Sequence, residues 1–238
     1  MEGMAWLRKL RASLKRNSAE EAAADWPEWY QSYHAIASAG TQAPLPLAER
    51  SIVVLDAETT GLDPKQDHLL SLGALKISGN NILTNAQFEA YLPAPEGYAD
   101  SSTVAIHGLV PNSARYVYSN EEQLLADFLA YLGDAIIVGH HIAFDLEMIN
   151  RALLKQGTGK LLNSVVDTAK VAERLQPVGY WTPKDQFTLD KLARRYRIPL
   201  SDRHTALGDA YITAVLWLKL MARMHDKLQR EVTLADLR

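Results

Sequence analysis

Cysteine is absent from the 238 residues of the sequence. This absence excludes disulfide bonds, thiolate-bound iron–sulfur clusters and zinc sites, and a cysteine nucleophile. Long apolar runs are missing too. No window approaches the roughly 18 uninterrupted apolar residues that a membrane-spanning helix needs, and no apolar segment of the signal-peptide type follows the basic N-terminal residues. We therefore expect a cytoplasmic protein with no membrane or secretory segment.

Neither sign of charge dominates the composition. Lys and Arg number 25 against 28 Asp and Glu, which gives a net charge of −3. Any binding of nucleic acid must therefore come from a local patch of the surface. The 47% of hydrophobic residues is enough for a sizeable core, and the length predicts one large domain with an appendage rather than two full domains.

Residues 1–48 are predicted to form an N-terminal helical extension and a connector. Apolar residues at helical spacing are followed by an aromatic cluster that includes Trp26, Tyr30 and Tyr33. Two prolines within 43–47 favour an extended connector, so we place the start of the main domain, 49–238, just after it. Packing of the extension on its own domain or on a protein partner is favoured over a membrane-surface helix.

The main domain shows the pattern of an α/β protein. Short apolar runs and turn residues predict strands at 52–55, 68–78, 82–92 and 135–138, the first three as an antiparallel meander. A capping-box pattern at Ser119 and Glu122 predicts the start of a helix, and Asp167 is predicted to cap another. Helices are predicted after 138 and at 167–175, 188–197 and 204–222.

Two acids, Asp56 and Glu58, stand at the carboxyl end of the first predicted strand. Residues i and i+2 of a strand point to the same side, so both carboxylates face one spot. No Lys or Arg lies between Leu55 and Pro64, which makes a divalent cation the natural partner. For an isolated pair of this kind, two solvated carboxylates would be the simpler interpretation.

Two further segments carry an acid at the start of a predicted helix. They are His140–Asp145 and His204–Asp209, and they complement the segment Asp56–Gly61. In this order and spacing, the three segments resemble the motifs of the DnaQ-like, or DEDDh, family of 3′-to-5′ exonucleases. The resemblance covers about residues 50–220.

The resemblance implies a ribonuclease H-like fold, with a mixed five-stranded sheet flanked by helices. It implies two divalent ions, Mg²⁺ or Mn²⁺, and oxygen ligands suit both metals. The implied metal ligands are Asp56, Glu58, Asp145 and Asp209, with His204 as the general base. The implied substrate-binding residues are Thr59, Thr60, Gly61, Leu62, His107 and His140. The expected reaction is hydrolysis of the 3′-terminal phosphodiester of single-stranded or frayed DNA to nucleoside 5′-monophosphates.

Three alternatives stay open at the level of sequence. The chain could trim RNA, it could bind nucleic-acid ends without cutting, or its N-terminal extension could bring it to a protein partner. Basic residues between Lys184 and Arg203 could follow a phosphate backbone, or could form a solvated face in which Asp190 pairs with Arg194. The aromatic residues Tyr180, Trp181 and Phe187 could stack on bases or pack against the core.

Overall fold

The computed structural model describes residues 25–42, 46–95, 98, 113–177, 179 and 183–237. Its strands are β1 (Ile52–Thr59), β2 (Leu69–Ser78), β3 (Asn81–Tyr91), β4 (Ile136–Gly139) and β5 (Val165–Asp167). Its α-helices are α1 (Glu28–Gln42), α2 (Glu121–Leu132), α3 (Ala143–Lys155), α4 (Thr168–Arg174), α5 (Leu189–Tyr196) and α6 (Ala206–Leu228). Short 3-10 helices occupy Leu47–Glu49, Lys184–Phe187 and Leu234–Leu237.

The five strands form one mixed sheet in the order β3-β2-β1-β4-β5. Strands β1, β2 and β3 pair antiparallel, whereas β4 runs parallel to both β1 and β5. This arrangement confirms the expected α/β class and the five-stranded sheet. The local sequence pattern missed β5, because three residues are too few for an alternating or apolar run to stand out.

The central strand β1 is buried on both faces. Val53, Val54 and Leu55 are all fully inaccessible to solvent, as expected for a β-branched run in the middle of a sheet. Val54 belongs to the core beneath α6, and Val53 and Leu55 belong to the core beneath α2 and α3. Because both faces are packed, the position of the carboxyl end of β1 is fixed.

A two-residue turn joins β2 and β3, at the junction of the predicted strands 68–78 and 82–92. Ser78 pairs with Asn81, and Gly79 has φ of +56°. Hairpin turns of two residues require such left-handed backbone, which glycine adopts without strain. The predicted meander of the first three strands is therefore confirmed.

Helix α1, within the predicted N-terminal extension, packs against the domain. Tyr30 and Tyr33 are 1% and 2% exposed and share a core with residues of α2 and α3. The Tyr30 hydroxyl donates a hydrogen bond to the Lys160 carbonyl at 2.7 Å, and the Tyr33 hydroxyl accepts one from the Leu162 N–H at 2.8 Å. A domain boundary at residue 49 stays a prediction.

Two predicted helix starts differ from those observed. The capping box at Ser119 is wrong, because the Asn120 side chain caps α2 by accepting a hydrogen bond from the Gln123 N–H at 2.8 Å. The last helix begins after Thr205, whose hydroxyl accepts from the Gly208 N–H at 3.1 Å. The predicted cap at Asp167 is confirmed by its bond to the Ala169 N–H at 2.9 Å.

The described part of the chain contains the six α-helices named above. None of its helices combines the length and the apolar character that crossing a bilayer requires.

The packing of α1 predicts a stability difference between two residues of the same helix. Tyr33→Ala removes a buried ring and should destabilise the protein by about 3 kcal/mol or more. Ile36→Ala, at a position 54% exposed, should change stability by less than about 0.5 kcal/mol. Urea unfolding of both variants measures the difference, and similar small effects would contradict the packing of α1 in the core.

Candidate metal centre and active site

Asp56 and Glu58 lie near the carboxyl end of β1, where they pair with Gly73 and Ser71 of β2. Gly73 leaves room for the start of α6, since a Cβ atom at this position would come within 2.3 Å of the Leu207 backbone nitrogen. The first turn of α6 therefore sits directly on β2. This contact places the acid of that turn close to the two acids of β1.

That acid is Asp209, whose side chain is 7% exposed. One carboxylate oxygen from each of Asp56, Glu58 and Asp209 can be chosen so that all three lie within 4.8 Å of one another. Oxygen ligands of Mg²⁺ lie 2.0–2.1 Å from the ion, so oxygens on one ion are roughly 3 to 4 Å apart. The three acids are therefore close enough to share a divalent cation.

The fourth predicted acid, Asp145, reaches β1 from the first turn of α3. Its Oδ1 accepts a hydrogen bond from the Ala57 N–H at 3.0 Å, and the residue is 8% exposed. Ala57 stands between the two acids of β1. All four predicted acids thus converge on the same end of the central strand.

Their mutual proximity makes these carboxylates difficult to ionise without a cation. Burial, together with repulsion from Asp145 and Asp209, raises the pKa of Asp56 well above its ordinary value. Burial and repulsion from Asp209 raise the pKa of Glu58 to about 7. Burial also raises the pKa of Asp145 to about 7 and raises that of Asp209. A bound cation would offset both effects.

His204 lies in the turn that precedes α6, beside Asp209. Its backbone N–H donates to Asp209 Oδ1 at 3.3 Å, and its φ of +67° is left-handed. Such backbone is uncommon for a residue with a side chain and is maintained only by its surroundings. The close turn is possible because Gly208 has no side chain: a Cβ there would lie 2.0 Å from the Asp202 carbonyl oxygen.

A cation that the sequence analysis did not connect with the acids also reaches the site. Arg203 Nη1 donates to Asp209 Oδ2, and Arg203 Nε donates to Asp190 Oδ1 at 2.6 Å. The predicted pairing of Asp190 with Arg194 is therefore wrong, because α5 places Asp190 beside the turn before α6. The only signal in the sequence was the position of Arg203 immediately before His204.

Four predicted substrate-binding residues, 59–62, span the last residue of β1 and the loop that follows it. Their hydroxyls are used locally, since Thr59 Oγ1 donates to the Gly61 carbonyl and Thr60 Oγ1 donates to Asp67 Oδ1, both at 2.7 Å. Leu62 is 86% exposed. Internal hydrogen bonds therefore hold the loop in its conformation. The loop presents the apolar side chain of Leu62 to solvent, close in sequence to the acids.

The two predicted substrate-binding histidines have different outcomes. His140 follows β4, and its Nδ1 lies 2.8 Å from the Thr168 hydroxyl. Burial lowers the pKa of His140 to about 4, so the ring is neutral at physiological pH. His107 lies outside the described residues, as do Tyr180 and Trp181.

Phe187 is 6% exposed and belongs to the core beneath α6. It packs in the core and does not stack on a base. Two of the basic residues that could follow a phosphate backbone are paired with acids of the chain itself. Lys191 pairs with Asp185, and Arg203 pairs with Asp190.

A mixed sheet whose central strand ends in two acids, completed by acids from two helices, is the architecture of ribonuclease H-like nucleases. The chain belongs to the exonuclease family (RNase_T), which it matches over residues 53–216. This range contains the four acids and His204, and it confirms the predicted resemblance.

Two PolC-type DNA polymerases III are similar to the chain. That of Halalkalibacterium halodurans is 29% identical over 195 residues, which is 82% of this chain and 13% of the polymerase. That of Staphylococcus haemolyticus is 28% identical over 180 residues, 76% of this chain and 12% of the polymerase. The chain thus spans about one eighth of the length of these relatives.

Crystal structures of Escherichia coli exonuclease I share the fold. The complex with a dT13 oligonucleotide has a TM-score of 0.63 and 23% identity, and the match covers 76% of this chain and 42% of that chain. The complex with a dA16 oligonucleotide has a TM-score of 0.64 and 22% identity, with the same coverage. At this level of identity the likeness concerns the fold.

The raised pKa of Glu58 predicts a pH dependence of stability in the metal-free protein. Because the folded state holds this proton up to about pH 7 and the unfolded chain releases it near 4.5, the stabilisation is complete below pH 4.5 and is lost as the pH rises through 7. In EDTA, Glu58→Gln should therefore be more stable than the wild type at pH 8 by about 2 to 3 kcal/mol.

Urea unfolding in EDTA at pH 5 and pH 8 measures this difference. Asp127→Asn, an exposed acid of α2, is the matched control and should show no such pH-dependent gain. Equal stability of wild type and Glu58→Gln at pH 8 would contradict the crowding of the acids.

Proposed function

We propose that the chain is a metal-dependent 3′-to-5′ exonuclease. It hydrolyses the 3′-terminal phosphodiester of single-stranded or frayed DNA and releases nucleoside 5′-monophosphates. The observation that carries this proposal is the convergence of Asp56, Glu58 and Asp209 within 4.8 Å, with Asp145 bonded to the strand between them. Membership of the exonuclease family supports it.

The acid cluster fits divalent metal ions of the Mg²⁺ or Mn²⁺ type. All donors are carboxylate oxygens and they are closely spaced, and the raised pKa values of Asp56 and Glu58 reflect burial together with the negative charge of neighbouring acids. The residues that would hold two ions are Asp56, Glu58, Asp145 and Asp209. Bound there, the ions would neutralise charge on the phosphoryl group and favour ionisation of the attacking water.

His204 accepts the proton of the attacking water in this proposal. The water oxygen bonds to the terminal phosphorus while the bond from phosphorus to the 3′ oxygen of the preceding nucleotide breaks, and the terminal nucleotide leaves as its 5′-monophosphate. His204 is suited to the role because it lies on the turn that contacts Asp209. Histidine is the side chain that most often serves as a general base at neutral pH.

Two observations support a DNA strand as the substrate. The PolC-type relatives are DNA polymerases, and the exonuclease I structures contain dT13 and dA16 oligonucleotides. In this proposal the terminal nucleotide contacts the loop of Thr59, Thr60, Gly61 and Leu62, with Leu62 exposed for apolar contact with a base. His107 and His140 remain predicted substrate contacts.

The protein partner of the N-terminal extension is also a proposal. Because α1 buries Tyr30 and Tyr33 in the domain, a partner would be bound by other parts of the extension. The cytoplasm is the proposed location, since it provides both DNA and divalent ions.

Digestion of 5′-labelled single-stranded DNA and RNA of one sequence tests the reaction. With Mg²⁺ or Mn²⁺, the DNA should give a ladder that shortens from the 3′ end, and EDTA should abolish it. Asp209→Asn should show no ladder above background, because it removes a charge from the metal site, whereas Asp127→Asn should match the wild type. Faster cleavage of RNA would favour the RNA-trimming alternative, and a folded wild type that cleaves neither strand would contradict the proposal.

The proposed role of His204 predicts that its replacement slows cleavage strongly but leaves metal binding nearly unchanged. His204→Ala should slow single-turnover cleavage by about 10²- to 10⁴-fold, as expected for the loss of a general base, and should leave Mn²⁺ binding within a few-fold of wild type. His141→Ala, an exposed neighbour of His140, is the comparison and should have a much smaller effect. Equal rates for His204→Ala and wild type would exclude the proposed base.

A further inference from the structure

Arg203 connects three functional parts of the site. Its Nη1 donates to Asp209 Oδ2 and lies 3.3 Å from His204 Nδ1, and its Nε donates to Asp190 Oδ1 at 2.6 Å. One guanidinium thus contacts a proposed metal ligand, the proposed base and an acid of α5. The planar guanidinium of arginine carries five N–H donors in a rigid fork, so it can bond to several separated groups at once.

The contact with Asp209 joins two side chains that are largely shielded from water. The side chain of Asp209 is 7% exposed and that of Arg203 is 24% exposed. A charge in such surroundings is costly unless it is paired. Arg203 also opposes the rise in pKa of Asp56 and of Glu58, so its charge acts on both acids of β1 as well as on Asp209.

The contact with Asp190 has a different character. Asp190 is 41% exposed and lies on α5, away from β1. The hydrogen bond from Arg203 lowers the pKa of Asp190. Asp190 therefore stays ionised and can hold the guanidinium whether or not Arg203 also contacts Asp209.

We propose that Arg203 is the internal counter-ion of the metal-free acid cluster, that a divalent ion displaces it from Asp209, and that Asp190 retains it afterwards. This inference rests on the proposed metal site. Arg203 is thus a positioning residue, since its contact with Asp209 Oδ2 holds that carboxylate in place before the ion arrives. The bound ion then supplies the positive charge that Arg203 gives up.

The same displacement prepares His204. Arginine has only donors, so His204 Nδ1 is the acceptor in its 3.3 Å contact with Arg203 Nη1. In the metal-free arrangement Nδ1 is therefore already occupied. Movement of Nη1 away from Asp209 releases His204 Nδ1 as an acceptor for the proton of water.

Thermal unfolding and Mn²⁺ binding of the full chain test this role without any measurement of cleavage. Arg203→Gln should lower the Tm by several degrees in EDTA, because it leaves Asp209 unpaired. Saturating Mn²⁺ should remove most of that difference. Arg203→Gln should also bind Mn²⁺ about tenfold more tightly than the wild type, because the ion no longer competes with a cation.

Arg230→Gln is the matched control. Arg230 pairs with Asp236 on the surface at 2.7 Å, so its loss should have the same effect on Tm in EDTA and in Mn²⁺. A Tm decrease for Arg203→Gln that is equal in both solutions, or an unchanged affinity for Mn²⁺, would overturn the inference. Failure of the wild type to bind Mn²⁺ would instead overturn the proposed function, and the inference with it.

If Arg203→Gln fails to fold, the same substitution can be tested in the Asp209→Asn variant. Asp209→Asn removes the charge that Arg203 balances, so adding Arg203→Gln to Asp209→Asn should cost little stability in EDTA. Rescue of folding by Asp209→Asn would support the inference. An equal loss of stability in both backgrounds would overturn it, because the contribution of Arg203 would then not pass through Asp209.

Discussion

The first turn of α6 lies against β2 at Gly73, where a Cβ atom would come within 2.3 Å of the Leu207 backbone nitrogen. This approach of backbone to backbone sets the position of Asp209 relative to Asp56 and Glu58. The buried face of α6, with Trp217 at its centre, keeps the helix in place. The arrangement of the acids therefore depends on the packing of the domain rather than on a flexible loop.

The packing collects negative charge at the end of a strand that is buried on both faces. Burial and mutual repulsion both raise the pKa values of the acids, so the folded protein carries an electrostatic cost that a cation offsets. The hydrophobic cores packed on both faces of β1 stabilise the fold and so offset this cost. In the metal-free protein, Arg203 supplies part of the compensating charge.

Much of the fold and most of the acid cluster could be predicted from the sequence. The first motif lies at the end of a strand and the other two open helices, and strand periodicity placed Asp56 and Glu58 on one side. Contacts between distant elements could not be predicted in the same way. Asp190 pairs with Arg203 instead of Arg194, since the turn before α6 comes closer than the next turn of its own helix. The three-residue strand β5 was missed because only its neighbour β4 defines it.

Anomalous diffraction from crystals grown with Mn²⁺ would show whether the four acids form a centre for divalent metal ions. We predict a strong manganese peak coordinated by oxygens of Asp56, Glu58 and Asp209, with Asp145 in the same centre. Manganese bound elsewhere on the chain while these four carboxylates coordinate no ion would contradict this prediction.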